Sequence, residues 1–481
     1  MRFPVLRVGA DLLEPDGAFA SLQADFLDPD PASVRALDVA LRDNQVGVVA
    51  HFYMDPQLQG VLSAVQWPHV HISDSLVMAD RAAQMAAAGC KAIAVAGVDF
   101  MAQNVRAVLD AAGFAAVPVY RLAADPIGCS LADAAEAPAY GAFLRKAARS
   151  PQSLHVVYIN TSLEVKAQAN ALVPTITCTS SNVVQTLLQA AAQIPEVQLW
   201  YGPDTYMGEN LRTLLGWLAE QDPETVARLH PAHTPESVHR LLQRFFPFQQ
   251  GRCIVHHLFD GAVVAHIGKT YPKALIAAHL EVPGEMFALA VDAQRDGRGV
   301  VGSTSNILDF LLKRVHTAVT QPGPQILQFV LGTEAGMLTS LVRGVRKVLR
   351  GAGRDDVAVD VIFPVAEEVA TTDTALGLGA VPVAGGAEGC STAGGCATCP
   401  YMKRNTLDGL LDLLGQIGQQ DQGLGAFAPQ IKGINRQQVA VAGGVPILHM
   451  RHFQQTGRLS DALVADVLGR HADKPASQAG I

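Results

Sequence analysis

Three apolar, β-branched runs punctuate the chain, at residues 45–53 (QVGVVAHFY), 154–161 (LHVVYINT) and 273–281 (KALIAAHLE), and each passes into a polar tip. Near-continuous apolar runs with polar ends are the pattern of buried parallel strands whose carboxyl ends carry ligand-binding groups. Some two dozen residues past each tip comes a hydroxyl cluster: SDS at 73–75, TSS at 179–181 and STS at 303–305. Helical periodicity follows at once in LVMADRAAQMAAAG, NVVQTLLQAAAQI and NILDFLLKRVHTAV. Ser, Thr or Asp at such a junction caps the helix, or leaves its free N–H groups to a phosphate or carboxylate. After each helix comes a strand ending in Gly-x-acid, with Asp99 in AVAGVDFM, Asp204 in LWYGPDTYM and Glu334 in FVLGTEAGM. A cysteine then closes each unit: Cys129, Cys253 and Cys399.

Four features matched in order predict a triplicated α/β chain, with αβα domains over 30–133, 134–258 and 259–402 and a helical extension over 403–481. The Pro/Gly-rich stretches 118–128 and 377–395 predict loops. From Gln419 the chain is Gln/Gly-rich and predicts only weak helix, with a frayed end at HADKPASQAGI.

Composition narrows the chemistry. A length of 481 residues suits about three domains of roughly 150 residues. A hydrophobic content of 49% with 17% charged residues is globular. A net charge of −8, spread without long runs, argues against a nucleic-acid partner. No apolar run reaches the length of a membrane span, and the start MRFPVLRVGADLLEPDG lacks a signal-peptide profile. A cytosolic setting is therefore expected, where thiols stay reduced and clustered cysteines point to metal or redox chemistry.

There are seven cysteines, and three of them, Cys390, Cys396 and Cys399, fall in GCSTAGGCATCPYM. A Cys-x2-Cys pair is consistent with zinc, a redox dithiol or iron–sulfur ligation. Zinc would need a second ligand pair at similar spacing, which is not visible. A thioredoxin-type pair belongs early in a domain, not late. The repeat suggests another division, with one thiolate from each unit. Three thiolates can hold a four-iron cluster and leave one iron open as a Lewis acid. Cys90 in AAAGCKAIAVAG and Cys178 in TITCTSSN read as small buried hydrophobes. Cys390 and Cys396 stay open between a regulatory disulfide and no role.

The chain resembles quinolinate synthase, an iron–sulfur transferase family of NAD biosynthesis. The resemblance is carried by AHFYMDPQLQ (50–59), ISDSLVMA (72–79), GVDFMA (97–102), GCSLAD (128–133), YINTSLEVKA (158–167) and CTSSN (178–182), then CIVHH (253–257), AAHLE (277–281), VGSTSN (301–306), GTEAGM (332–337) and CPYMKRNTL (399–407). It implies three αβα domains about a pseudo-threefold axis, with the cluster and active site at their junction. It implies condensation of iminoaspartate with dihydroxyacetone phosphate to quinolinate, phosphate and water, and a [4Fe-4S] cluster on Cys129, Cys253 and Cys399. An aspartate-oxidising partner, L-aspartate oxidase, would supply the imine. The family's His-Pro-Glu-Cys stands here as His279-Leu280-Glu281-Val282, which keeps the His and Glu and changes the backbone around them.

Such a reaction needs a base, anion donors and a site shielded from water. Glu281 is the expected general base, since a carboxylate shielded beside His279 can accept protons near neutrality; a surface Glu ending a strand is the plain alternative. His51, His279 and Leu280 at the strand tips are expected against substrate carboxylate or phosphate, although a lone buried His is usually a satisfied core donor. His256, three residues past Cys253, approaches cluster or substrate on this reading. Tyr53, Tyr158, Ile159 and Asn160 supply hydrogen bonds, with packing as the bland role of the tyrosines. Ser75, Ser180, Ser303 and Thr304 present hydroxyls at helix N-termini, where capping is the ordinary role. Lys166, Lys403 and Arg404 are expected to be solvated or structural. Two other function classes fit the residues alone: an open-iron hydro-lyase acting on a hydroxy-acid, and a metal-binding structural or sensor protein.

Overall fold

A computed structural model describes residues 2–364, 398–419, 422–432 and 435–470. Cys390 and Cys396, the stretch 377–395 and the end at 471–481 lie outside the described residues.

The chain opens with a hairpin, β1 (Val5–Val8) and β2 (Leu13–Asp16). A helix then begins at Pro31, with Asp30 capping it and Gln45 in the left-handed region ending it. Beyond it come β3 (Val46–His51), β4 (Val70–Ser73), β5 (Ala92–Ala96) and β6 (Val119–Arg121), which form one parallel sheet in the order β4-β3-β5-β6. A second parallel sheet holds β7 (Ser153–Tyr158), β8 (Thr175–Cys178), β9 (Gln198–Gly202) and β10 (Phe245–Pro247), in the order β8-β7-β9-β10. The third holds β11 (Leu275–His279), β12 (Gly299–Gly302), β13 (Gln325–Gly332) and β14 (Val357–Ile362), in the order β12-β11-β13-β14. All three share one topology, second-first-third-fourth.

That order decides where chemistry can sit. The chain leaves the first strand in one direction to make the second, then crosses back to place the third on its other side. The carboxyl end of the first strand is therefore the topological switch point, where open α/β sheets leave a crevice. His51, Tyr158 and His279 are the last residues of β3, β7 and β11. The predicted runs are right in place and slightly long, since residues 52–53, 159–161 and 280–281 lie in the connecting loops, where side chains can face a ligand.

The third sheet gains two antiparallel strands from the hairpin, with β1 pairing β14 and β2. Arg7 reaches Asp360 across that seam at 2.7 Å. The predicted 118–128 loop begins as β6 before turning irregular.

By contacts the chain forms two compact units. The first takes residues 1–98, 116–127 and 254–428, with the first and third sheets. In its core the helix Leu407–Gln419 lays Leu407, Leu410, Leu413 and Leu414 against Leu37, Leu41, Val46 and Val48. The second takes 99–115, 128–253 and 429–481, with the second sheet. There the helix Arg436–Thr456 replaces the expected weak helicity. Its glycines lower helix propensity, but Gly443 lets its backbone lie against the carbonyl of Leu163, and packing decides.

Among the described residues, no helix is long and apolar enough to cross a membrane.

Candidate active site

In the first unit, β11 ends at His279, and the next two residues turn under backbone control: Leu280 N–H donates to Gly302 O at 3.1 Å and Val282 N–H to His279 O at 3.3 Å. This turn buries Leu280 and Glu281. The Glu281 carboxylate lies 3.4 Å from His279 Nδ1 and 3.3 Å from His256 Nδ1. The two imidazoles stack at 5.0 Å between centroids. His256 stands in a one-turn helix, His256–Leu258. Burial pushes the His279 imidazole down to about 4, against the pull of the Glu281 charge and with help from His256. An uncharged imidazole beside a carboxylate leaves that carboxylate open to accept a proton.

His51, at the tip of β3, is pushed down to about 3, chiefly by burial, with the Glu281 charge opposing and His279 adding. The Tyr53 N–H donates to His51 Nδ1 at 3.3 Å, so the neutral ring carries its proton on Nε2. The two rings meet edge to face at 4.6 Å. The Tyr53 hydroxyl lies 2.9 Å from Thr304 Oγ1 and 3.4 Å from Thr333 Oγ1. Burial, with the Glu334 charge, raises its pKa and keeps it a neutral donor.

The hydroxyl loops divide their labour. Asp74 rather than Ser75 caps the helix Ser75–Ala87, and its other oxygen accepts from the Ser305 hydroxyl at 2.9 Å. That bond ties the 73–75 loop to the 303–305 loop. Ser303 caps Thr304–Val319 in a reciprocal box with Asn306, which is the ordinary role for it. Ser75 is half-buried at the first helical position. The buried carboxylate of Glu334 accepts from the N–H of Cys399, whose thiol is half-buried. Arg404 donates to Pro126 O at 2.8 Å, a structural contact.

In the second unit, Tyr158 ends β7 and is buried with Ile159, while Asn160 and, past β8, Ser180 are half-buried. Ile159 N–H donates to Cys178 O at 2.9 Å, Thr161 N–H to Ile159 O at 2.7 Å, and the Thr161 hydroxyl to Tyr158 O at 3.1 Å. Cys129 precedes the helix Ser130–Glu136. Burial pushes its thiol up to about 12 and the nearby Cys253 adds to this, while the N–H groups of Ala132 and Leu131 pull the other way. The Cys129 thiol, whose surroundings oppose ionisation, becomes a thiolate when a cation binds it. Cys129 and Cys253 are both partly exposed, and thiolates are ligands that a metal ion can use. Cys90 and Cys178 are buried, as expected of packing residues.

Three residues carry more than the sequence suggests. Thr333 and Glu334 sit in a motif visible for its acid, but contact with Tyr53 and Cys399 has no sequence signal. Lys166, expected to be solvated or structural, is wholly buried; its mid-helix position, among the apolar neighbours of LEVKA, was the available hint.

Comparison with known proteins bears on the whole arrangement. The family described as quinolinate synthetase A protein matches residues 35–350. A protein of Nicotiana tabacum named quinolinate synthase, chloroplastic, is 51% identical over 97% of this chain and 67% of its own length. One of Arabidopsis thaliana with the same name is 52% identical, with the same shares. A quinolinate synthase of Prochlorococcus marinus (strain MIT 9303) is 27% identical over 76% of this chain and 77% of its own. The chain thus spans about two thirds of the length of its plant relatives.

The expectation of a cytosolic setting falls here, because the similar plant proteins of tobacco, Arabidopsis and Oryza sativa subsp. japonica are named chloroplastic. The physical reason is plain: the absence of long apolar runs tests for membranes, and it does not separate one aqueous compartment from another. With half its amino acids shared with those proteins over nearly its whole length, and with residues 35–350 matching the family, the chain belongs to the quinolinate synthetase A family.

Proposed function

We propose that the protein condenses iminoaspartate with dihydroxyacetone phosphate to give quinolinate, phosphate and water, for de novo NAD biosynthesis. The observation that carries this reading is the buried carboxylate of Glu281 between His279 and His256, at the switch point of a parallel sheet. Family membership supplies the substrate classes. The condensation needs a proton removed next to a carbonyl or imine, and Glu281 accepts it. His279 and His256 flank that carboxylate and hold it in place. His51, with its proton on Nε2, donates to a substrate oxygen, and the Tyr53 hydroxyl, steered by Thr304 and Thr333, donates to another. Ser75, Ser180 and Thr304 offer hydroxyls to carboxylates and phosphate, and Ser303, whose hydroxyl is bonded to Asn306, fixes the N-terminus of Thr304–Val319 for the same use. Tyr158, Ile159 and Asn160 complete the donors around the imine and its carboxylate.

Cys129, Cys253 and Cys399 would hold a [4Fe-4S] cluster, which supplies Lewis acidity toward substrate oxygens and nitrogen when bound. The three sheets with their helices would form three αβα domains over 30–133, 134–258 and 259–402. L-aspartate oxidase, or an enzyme of that reaction class, is the proposed source of the imine. The decisive test is anaerobic protein assayed for pyridine-2,3-dicarboxylate formation from the imine and the triose phosphate, with iron and sulfide content measured alongside. Product with about four irons per chain is the expected result. A colourless, iron-free protein, or loss of water from a single hydroxy-acid without condensation, would replace this reading.

A further inference from the structure

Among the described residues of the second unit, Lys166 is the one lysine whose side chain is wholly buried. An ammonium is costly to bury without partners. Here Nζ donates to two carbonyls of one turn, Ile159 O at 3.2 Å and Thr161 O at hydrogen-bond distance. Between them lies Asn160, half-buried and aimed by whatever fixes that turn.

The lysine is itself well anchored. It stands one turn into the helix Leu163–Leu172, which Ser162 caps. The first N–H of that helix donates to Gln103 Oε1 at 2.9 Å. Glu164 accepts from Gln103 Nε2 at 3.3 Å and from the N–H of Lys432. Gly443 closes the other side, where an added Cβ would come within 2.2 Å of Leu163 O. Side chains on a helix lean toward its N-terminus, so a lysine at this position reaches back over the preceding turn.

We propose that Lys166 is a positioning residue, which transmits the fixed helix to the 159–161 turn and so holds Asn160 in place to meet the substrate. This rests on the substrate role proposed for that turn. Bonding to backbone at both contacts, Nζ lies behind the turn and takes no part in proton transfer to substrate. Burial pushes its pKa down to about 7, partly offset by Glu164. An ammonium has three N–H groups and an amine two, so both carbonyls are served on either side of neutrality.

Lys166→Met keeps the stem and removes the donors. Amide exchange of residues 158–162, read by mass spectrometry, should quicken about tenfold, the scale of one charge-assisted hydrogen bond. Exchange within 163–172 and iron content should hold. KM for the imine diacid should rise about tenfold with kcat little changed, and adding Lys166→Met to Asn160→Ala should raise KM no further. Unchanged exchange at 158–162 overturns the clamp, and so does a KM effect that adds in full to that of Asn160→Ala. Should Lys166→Met fail to fold, Lys166→Gln, shorter but still an N–H donor, should show a smaller quickening and a smaller rise in KM; a KM effect of Lys166→Gln that adds in full to that of Asn160→Ala overturns the proposal equally. The exchange measurement stands apart from activity. If wild type makes no pyridine dicarboxylate, the functional reading falls, while exchange still decides the role of Lys166.

Discussion

At the residue scale, Glu281 is the proposed base, a buried carboxylate that meets Nδ1 of both His256 and His279. Glu281→Gln keeps the shape and removes the proton acceptor. Product formation should fall by about two to four orders of magnitude, the usual worth of a positioned base, while the iron–sulfur absorbance is retained. A rate within threefold of wild type would move the base elsewhere.

The buried histidines make a second prediction. His51, His155 and His279 are pushed down to about 3, 3 and 4, mainly by burial. Each takes up a proton on unfolding below its ordinary value of 6.5. Their stabilisation is therefore complete above pH 6.5 and is lost as pH falls toward the folded values. Each full proton is worth about 1.4 kcal/mol per pH unit. His155 suits a test, since it lies in the core with its ring bonded to Tyr140 at 2.8 Å, away from the strand tips. His155→Gln should be less stable at pH 7 and should lose less further stability between pH 6.5 and 4.5, measured by urea midpoints. An unchanged slope would mean that His155 is charged when folded.

Residue roles were legible only where position implied them. Strand-tip residues such as His279 announce themselves by following an apolar run. Lys166 and Thr333 do not, because burial and partners depend on elements distant in sequence.

At the scale of elements, helix and strand runs read well wherever apolar periodicity and caps agreed. The Ser303 to Asn306 box and the apolar stripe of Thr304–Val319 point to one helix. The C-terminal helix Arg436–Thr456 reads only as weak helix from sequence for the opposite reason. Its Gly-Gly and Pro446 argue against helix locally, and only close approach to Leu163 makes the glycine useful.

Adjacent glycines therefore make a paired test. An added Cβ at Gly443 would come within 2.2 Å of Leu163 O, a backbone atom that cannot swing aside. Gly443→Ala should cost about 1–3 kcal/mol, lowering the thermal midpoint by several degrees. At Gly444 a Cβ would meet the Ala107 methyl at 3.5 Å, ordinary contact. Gly444→Ala should be neutral or stabilising by up to about 1 kcal/mol through helix propensity. Equal effects at the two positions would show that packing against Leu163 does not govern this helix.

At the scale of the whole molecule, triplication is what most of the legible pattern has in common. Three sheets with one strand order each bring a polar tip to a switch point, and in each repeat a cysteine follows the fourth strand. The hairpin on the third sheet had no counterpart in the repeat and so no pattern to betray it. If the repeats work as one device, the three closing cysteines are equivalent, and the two packing cysteines are not. Cys129→Ser, Cys253→Ser and Cys399→Ser should then each abolish the visible iron–sulfur absorbance of anaerobic protein, since two thiolates hold a four-iron cluster poorly. Cys90→Ser and Cys178→Ser should keep it and lose only stability, because each buries a hydroxyl where a less polar thiol stood. The contrast matters more than any single loss, since a misfolded variant also loses its cluster. Full absorbance in any one of the first three, with the protein folded, would remove that cysteine from the ligand set and with it the threefold reading of the site.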